Sequence, residues 1–291
     1  MTQRVYESIL ETLHSNRSMK SVAEEFSVSS NTVSRVFDIV SYSLSKLPSV
    51  LAIDEFKGNS GGEKYHAILT DPSCKKLLDI VPSREKLVLS GYFKAFTDRK
   101  HISIVVMDMW EPYKDLAKFY FPNAIIVIDK YHYIRQVYWA LDRVRKRVQK
   151  QFIAEKRIYF KRSRKLFFTR LENLSDEKKQ QLHVMLSQHP DLHDAWQLKE
   201  MFYEFNNCTD YDLARKLLKK WILTAQEINL PEFKDCVNAF LNWFHYILNS
   251  KLTPLTNAFT EGMNNKIKVL KRNAYGFHNF HRFRNRILHA A

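Results

Sequence analysis

The sequence predicts an α/β fold: a mixed five-stranded sheet with flanking helices, interrupted by a large all-α insertion and preceded by a small helical module. Three observations carry this prediction. Short apolar runs separated by turn residues fill residues 49–131, helical periodicity alone follows to about residue 250, and an earlier stretch has the spacing of two short helices around a tight turn. At 291 residues the chain reaches the size, about 250 to 300 residues, beyond which single hydrophobic cores rarely grow, so a main domain with an appended one is expected.

Residues 1–47 form the first region. Val5, Ile9, Leu10 and Leu13 fall on one helical face before a break near Ser15 to Ser18. In MKSVAEEFSVSSNTVSRVFDIV, Ala23 in one helix, a turn around Ser27 and Val28, and inward Val33 and Val36 give the spacing of a helix-turn-helix. Ser29 is the N-cap expected for the second helix. Ser30, Asn31, Thr32, Ser34 and Arg35 then face outward, a set of side chains suited to base edges and phosphates. The turn carries Ser27 where Gly is usual, and the bland alternative is an ordinary helical hairpin with a polar face.

From Ser49 the pattern becomes SVLAIDEF, YHAILTD and KKLLDIV, separated by Asn59, Gly61, Gly62, Asp71 and Pro72, which reads as three strands joined by hairpins. A helix in REKLVLSGYFKAF, a strand in ISIVVMDMW, a helix in YKDLAKFYF and a strand in AIIVIDKY follow. The order β-β-β-α-β-α-β, with acids near the ends of the first, fourth and fifth strands, is that of a ribonuclease-H-like core. The first three strands should be antiparallel and the later ones parallel through helical crossovers. This core is assigned to residues 48–135 and 251–291.

Residues 136–250 are assigned to the all-α insertion, in which Trp139, Trp196, Trp221 and Trp243 sit among apolar neighbours at helical spacing. Core packing is the first expectation for them and base stacking the second. The run from Arg143 to Lys165 interleaves cations with aromatic residues and few acids, so Arg143, Arg145 and Lys146 are expected to contact phosphates rather than form a merely solvated face. The last region opens at Pro254 with Thr256 or Asn257 starting a helix through AFTEGMNNKIKVLKRN, on which Glu261, Asn264, Asn265 and Lys268 share one face.

Composition narrows the chemistry. A formal charge of +15 favours a polyanionic partner, nucleic acid first. No apolar run reaches the roughly 18 to 20 residues of a membrane span, and MTQRVYESIL lacks a signal-peptide core, so a soluble, intracellular protein without a membrane partner is expected. Cys74, Cys208 and Cys236 match no metal-ligand or disulfide spacing. Gly is scarce at 6 residues, and neither a P-loop nor a dinucleotide fingerprint is present.

Within a basic chain, acids at strand ends need a reason, because Asp is disfavoured in strands. Carboxylates converging from different elements can hold Mg2+ or Mn2+, and two such ions about 3.5 to 4 Å apart serve phosphodiester chemistry. Asp54 and Asp108 end strands that this core places side by side, and Glu261 stands in a polar helical block with Lys271 and Arg272. Glu55 should point to the opposite face from Asp54 and serve as an ion-pair partner. Asp129 rivals Asp108 as a metal ligand, and with His132 it forms a D-x-x-H pair that could also play a supporting role.

IDEF, VVMDMWEPY, NAIIVIDKYHYIRQV and above all LTNAFTEGMNNKIKVLKRNAYGFHNFHRFRNRIL resemble the DDE transposases of bacterial insertion sequences, in the ISL-three group. The resemblance runs from the helix-turn-helix to the last residue. It implies that Asp54, Asp108 and Glu261 are the catalytic, metal-holding acids, that Asn265 and Lys268 lie near the DNA ends, and that the enzyme cuts double-stranded DNA at element ends and transfers the 3′-hydroxyl to target DNA. A homodimer or larger assembly on DNA is expected. Family members usually begin with a Cys-rich zinc-binding segment ahead of the helix-turn-helix, which this sequence lacks, so a shortened or inactive derivative acting as a DNA-binding regulator is the alternative. A tyrosine recombinase is disfavoured because no Tyr follows the His281 and Arg284 pair. A structure-selective nuclease would use similar acids without strand transfer.

Overall fold

The computed structural model describes all residues, Met1–Ala291. The chain forms two compact units, one comprising Met1–Val127 with Leu255–Ala291 and the other Ile128–Pro254. No helix is long and apolar enough to cross a membrane.

In the first unit, α1 (Gln3–Thr12), α2 (Met19–Glu25) and α3 (Ser30–Phe37) close around Ile9, Leu13, Val22, Ala23, Val33, Val36 and Phe37. Ser27 takes φ +54, the left-handed backbone for which Gly is usual, so the turn forms at some conformational cost with Ser in that place. Ser29 caps α3 by accepting from the Thr32 N–H at 3.0 Å. Ser30, Asn31 and Arg35 are exposed and Thr32 and Ser34 half-buried, while Val33 and Val36 point inward.

The sheet has the order β3-β2-β1-β4-β5, from β1 (Val50–Ser60), β2 (Glu63–Asp71), β3 (Lys76–Val81), β4 (Ile104–Met107) and β5 (Ile125–Ile128). Strand β1 runs past the apolar stretch to Ser60, and the hairpin to β2 turns on Gly61 and Gly62, both at positive φ, as a tight two-residue turn requires. Strands β1 to β3 are antiparallel. Strand β4 pairs parallel to β1 from Val50↔Ile104 to Ile53↔Met107, after a crossover that includes α4 (Lys86–Lys94). Between β4 and β5 lies α5 (Glu111–Tyr120). This is the mixed α/β sheet, ribonuclease-H-like, that the order of the apolar runs predicts.

The second unit is helical: α6 (Lys130–Gln149), α7 (Ala154–Arg162), α8 (Arg164–Phe168), α9 (Asp176–Leu186), α10 (Pro190–Asn207), α11 (Tyr211–Ile228), α12 (Lys234–Asn242) and α13 (Phe244–Leu248). Trp221 is fully buried among Phe202, Phe233 and Phe240 and donates its indole N–H to the Leu198 carbonyl at 2.7 Å. Trp243 is also buried, but Trp139 is exposed, with the Arg135 guanidinium 4.6 Å from its ring. Core packing therefore describes Trp221 and Trp243 and not Trp139.

The chain re-enters the first unit as α14 (Ala258–Asn273) and α15 (Phe280–His289). Met263, Ile267, Leu270, Phe280, Phe283 and Ile287 bury their apolar side chains with Phe56, Ile68, Leu77 and Ile80, fixing both helices on one face of the sheet. That docking places the polar stripe of α14 against β1.

Candidate active site

Asp54 lies inside the long β1, not at its end as the sequence suggested, yet it is the first residue beyond the last β1–β4 pair, Ile53↔Met107. Asp108 follows β4 directly. Parallel register thus brings both acids to the same level, where β1 loses its β4 neighbour and side chains gain room.

Ligand-capable oxygens of Asp54, Glu55 and Asp108 all lie within 4.8 Å of one another, and the three residues are half-buried. Strand alternation sends the Asp54 and Glu55 β-carbons to opposite faces, so the presence of Glu55 here corrects the expectation that it points away. Its longer side chain reaches round, while the Asp54 carboxylate curls back to accept the Glu55 N–H at 2.7 Å. The expectation that Glu55 forms an ion pair holds as well: Arg84 donates to Oε1 at 2.9 Å.

A set of neighbours holds these oxygens in place. Asn264 donates its side-chain N–H to Asp54 Oδ2 at 2.9 Å. Arg84 lies 4.5 Å from the Tyr65 ring centre and 5.0 Å from that of Trp110, so its guanidinium is stacked as well as ion-paired. The buried Tyr113 hydroxyl donates to Glu55 Oε2 at 3.2 Å. Burial, with the charges of Glu55, Asp54 and Asp108 beside it, holds the Tyr113 phenol well above its ordinary pKa, so it remains a donor throughout the neutral range.

The other expected site residues divide. Glu261 occupies the first turn of α14, exposed and one turn before Asn264, and its carboxylate is outside the converging group. The third acid of that group is Glu55. Asn265, Lys268 and Arg272 are exposed on α14, Lys268 donates to the Asn265 side chain at 3.2 Å, and Lys271 donates to the Lys57 carbonyl at 3.2 Å. Asp129 belongs to the second unit, where it caps α6 by accepting the Tyr131 N–H at 3.2 Å. His132 Nδ1 accepts from Arg135 at 3.2 Å.

The basic run is corrected in part. Arg145 is buried, with its guanidinium bound to the Asp142 carboxylate at 2.7 Å and the Gln149 side chain at 2.8 Å, so it does not face a phosphate. Burial tends to raise the Asp142 pKa, but hydrogen bonds from Lys146, Arg145 and Arg164 outweigh it and hold the carboxyl below its ordinary value. Arg143 and Lys146 keep their heads half in solvent, although Arg143 donates to the Glu232 carbonyl and Lys146 pairs with Asp142 at 2.8 Å.

Sequence reasoning missed Arg84 and Tyr113. Arg84 sits in a short loop after β3 with no pattern to mark it. Tyr113 opens the helical segment YKDLAKFYF, and nothing local signals that its hydroxyl meets an acid on β1.

Three converging carboxylate side chains of limited exposure, on a sheet in the order β3-β2-β1-β4-β5, define the ribonuclease-H-like class with an acidic centre. Within that class the chain belongs to the ISL3 family of DDE proteins, whose family model, described as "Transposase", matches residues 51–287. It is 28% identical over 235 residues to the transposase for insertion sequence element IS1001 of Bordetella parapertussis, covering 78% of this chain and 57% of that protein. It is also 34% identical over 105 residues to a Lactococcus lactis subsp. lactis protein named ATP-dependent protease, covering 36% of this chain and 32% of that one. The chain therefore spans less than two thirds of the length of either relative.

Proposed function

We propose that the chain is the catalytic part of a DNA transposase that cuts double-stranded DNA at the ends of an insertion sequence and transfers the freed 3′-hydroxyl to target DNA. The observation that carries this reading is the convergence of the Asp54, Glu55 and Asp108 oxygens within the segment matched by the family.

The donor set fits a hard divalent cation, since every ligand atom is a carboxylate oxygen and none is sulfur. Asp54 and Asp108 would hold it, with Glu55 or Glu261 as the further acid. Bound there, Mg2+ or Mn2+, as two ions, supplies a better nucleophile and relief of charge on the phosphate oxygens. The chain's own groups do the positioning. Asn264 fixes the rotamer of Asp54, Arg84 and Tyr113 fix Glu55, and the protonated Tyr113 adds no charge to a site already crowded with anions.

Residues around the site meet the rest of the substrate. Asn265, Lys268, Lys271 and Arg272 offset phosphate repulsion along α14, while Ser30, Asn31, Thr32 and Arg35 contact DNA from α3. Arg143 and Lys146 are the remaining phosphate contacts of the basic run. Asp129 and His132 act in support of α6. Because the two ends of an element must reach one target, the assembled species is a homodimer or larger.

The test is cleavage and strand transfer on labelled duplexes taken from the DNA flanking the gene, with Mg2+ or Mn2+, alongside calorimetric titration of the metal alone. Asp54→Asn and Asp108→Asn should each lower cleavage by about a hundredfold or more and weaken metal binding. Comparing Glu55→Gln with Glu261→Gln shows which is the further acid, and Asp129→Asn should spare the chemistry. If Asp54→Asn and Asp108→Asn cut like the parent, the proposed site is wrong.

A further inference from the structure

The C-terminus of α14 carries an unusual residue. Its last turn closes by Ala274 N–H to the Leu270 carbonyl at 3.1 Å, Tyr275 N–H to the Arg272 carbonyl at 3.1 Å and Gly276 N–H to the Lys271 carbonyl at 2.9 Å. Tyr275 has φ +56 and Gly276 φ +101. A left-handed residue ending a helix is commonly Gly or Asn, because a β-carbon is crowded in that backbone. Here it is a tyrosine whose side chain is 100% exposed and buries nothing. Neither local conformation nor packing gains from the ring.

What lies beside it points outward to a ligand. A groove runs along the same surface, lined among others by Lys20 of α2, Ser30 and Ser34 of α3, and His278 and Arg282 of the following segment. No acidic residue lines it. The two serines belong to the outward face of the helix-turn-helix, so the exposed aromatic stands at the edge of the surface by which α3 would meet DNA.

We propose that Tyr275 is a DNA-contacting wedge: its ring packs against the same duplex that α3 holds, making the 274–279 segment and the helix-turn-helix one composite DNA surface. This rests on the DNA-end reading above. A planar, uncharged ring adds contact with base or sugar that Lys20 and His278 cannot supply, while the acid-free groove tolerates the phosphates. The left-handed backbone projects the ring clear of the protein, which is what a wedge requires.

The strain makes the proposal separable from folding. Tyr275→Gly removes the ring and relieves the backbone, so its thermal midpoint should equal or exceed the parent's while its DNA affinity falls. Fluorescence anisotropy would follow binding of the full chain to a fluorescein-labelled duplex from the DNA flanking the gene and to a mixed-sequence duplex of equal length. An affinity about tenfold weaker in Tyr275→Gly, with Tyr275→Phe near the parent, is the expected result. Tyr275→Asn, which also tolerates the left-handed region, serves as the second variant should the glycine variant be less stable. Unchanged affinity in Tyr275→Gly and Tyr275→Asn, while Arg35→Ala weakens binding, would overturn the wedge and leave the DNA-end reading standing. A parent chain that binds neither duplex would overturn both.

Discussion

Gly58 shows how tightly single positions around the sheet are set. A β-carbon there would lie 1.9 Å from the His66 ring, and that ring cannot retreat, because His66 is fully buried with Ser60 Oγ at 2.7 Å from one nitrogen and the Pro82 carbonyl at 2.6 Å from the other. Gly58→Ala should therefore cost about 1–3 kcal/mol through overpacking, read as a lower urea midpoint at unchanged slope. A midpoint equal to the parent's would mean that the strand shifts freely. Glu55 marks the limit of local reasoning at the same scale. Alternation along a strand sets the direction of its β-carbon and says nothing of how far a longer side chain reaches once the neighbouring strand has ended. Arg145 is the converse case: a basic run looks like a surface, but Asp142 one turn earlier and the packing of the helical unit draw that one guanidinium inside.

At the scale of elements, α15 ties the helix-turn-helix to the sheet. Leu288, Phe283 and Ile287 face the core, while the opposite side carries Arg282, paired with Asp38, Asn285, bound to the Val40 carbonyl at 2.7 Å, and Arg286. Arg286 is buried and donates to the carbonyls of Leu13, Ser15 and Arg17, which follow the end of α1 and would otherwise lack partners. Burial lowers its pKa to about 10, still leaving it charged at neutral pH. Arg286→Ala should lower stability by about 1–3 kcal/mol, since it leaves the buried Leu13 carbonyl unsatisfied. Hydrogen exchange in α1 should rise with it; protection of α1 unchanged from the parent would show that this helix is held in some other way. None of these ties was legible in advance. The amphipathic pattern of α15 predicts which side is buried, whereas its polar side meets carbonyls some 270 residues away in sequence.

Across the first unit, two buried histidines make stability depend on pH. Burial depresses the pKa of His66 below its ordinary 6.5, and likewise that of His289, which accepts from the Tyr42 hydroxyl, donates to the Leu10 carbonyl and stacks on His14 near Arg286. The unfolded side chains titrate near 6.5 and the folded ones lower, so in that interval the unfolded chain binds more protons. Their contribution is complete above about pH 6.5 and is lost as pH falls from there through the folded values. The thermal midpoint should drop as pH falls below about 6.5, and less so in His289→Gln. A midpoint flat over that range would contradict the assignment of neutral, buried rings.

The sequence by itself determined the succession of strands and helices, the capped third helix and the nearness of Asp54 and Asp108 at neighbouring strands, because each rests on local physics: strand alternation, turn residues, capping by Ser29, and polar side chains where strand propensity disfavours them. Family membership was legible on other grounds, as a resemblance of whole sequence blocks, above all the one around Glu261 and Asn264, to a known family. Only the tertiary structure decided that Glu55 joins Asp54 and Asp108, that Asn264, Arg84 and Tyr113 hold those carboxylates, and that Asp129 caps a helix in the other unit. Those contacts join residues as far as 210 positions apart. They depend on register at the end of the β1–β4 pairing and on how α14 docks on the sheet, which no local pattern encodes.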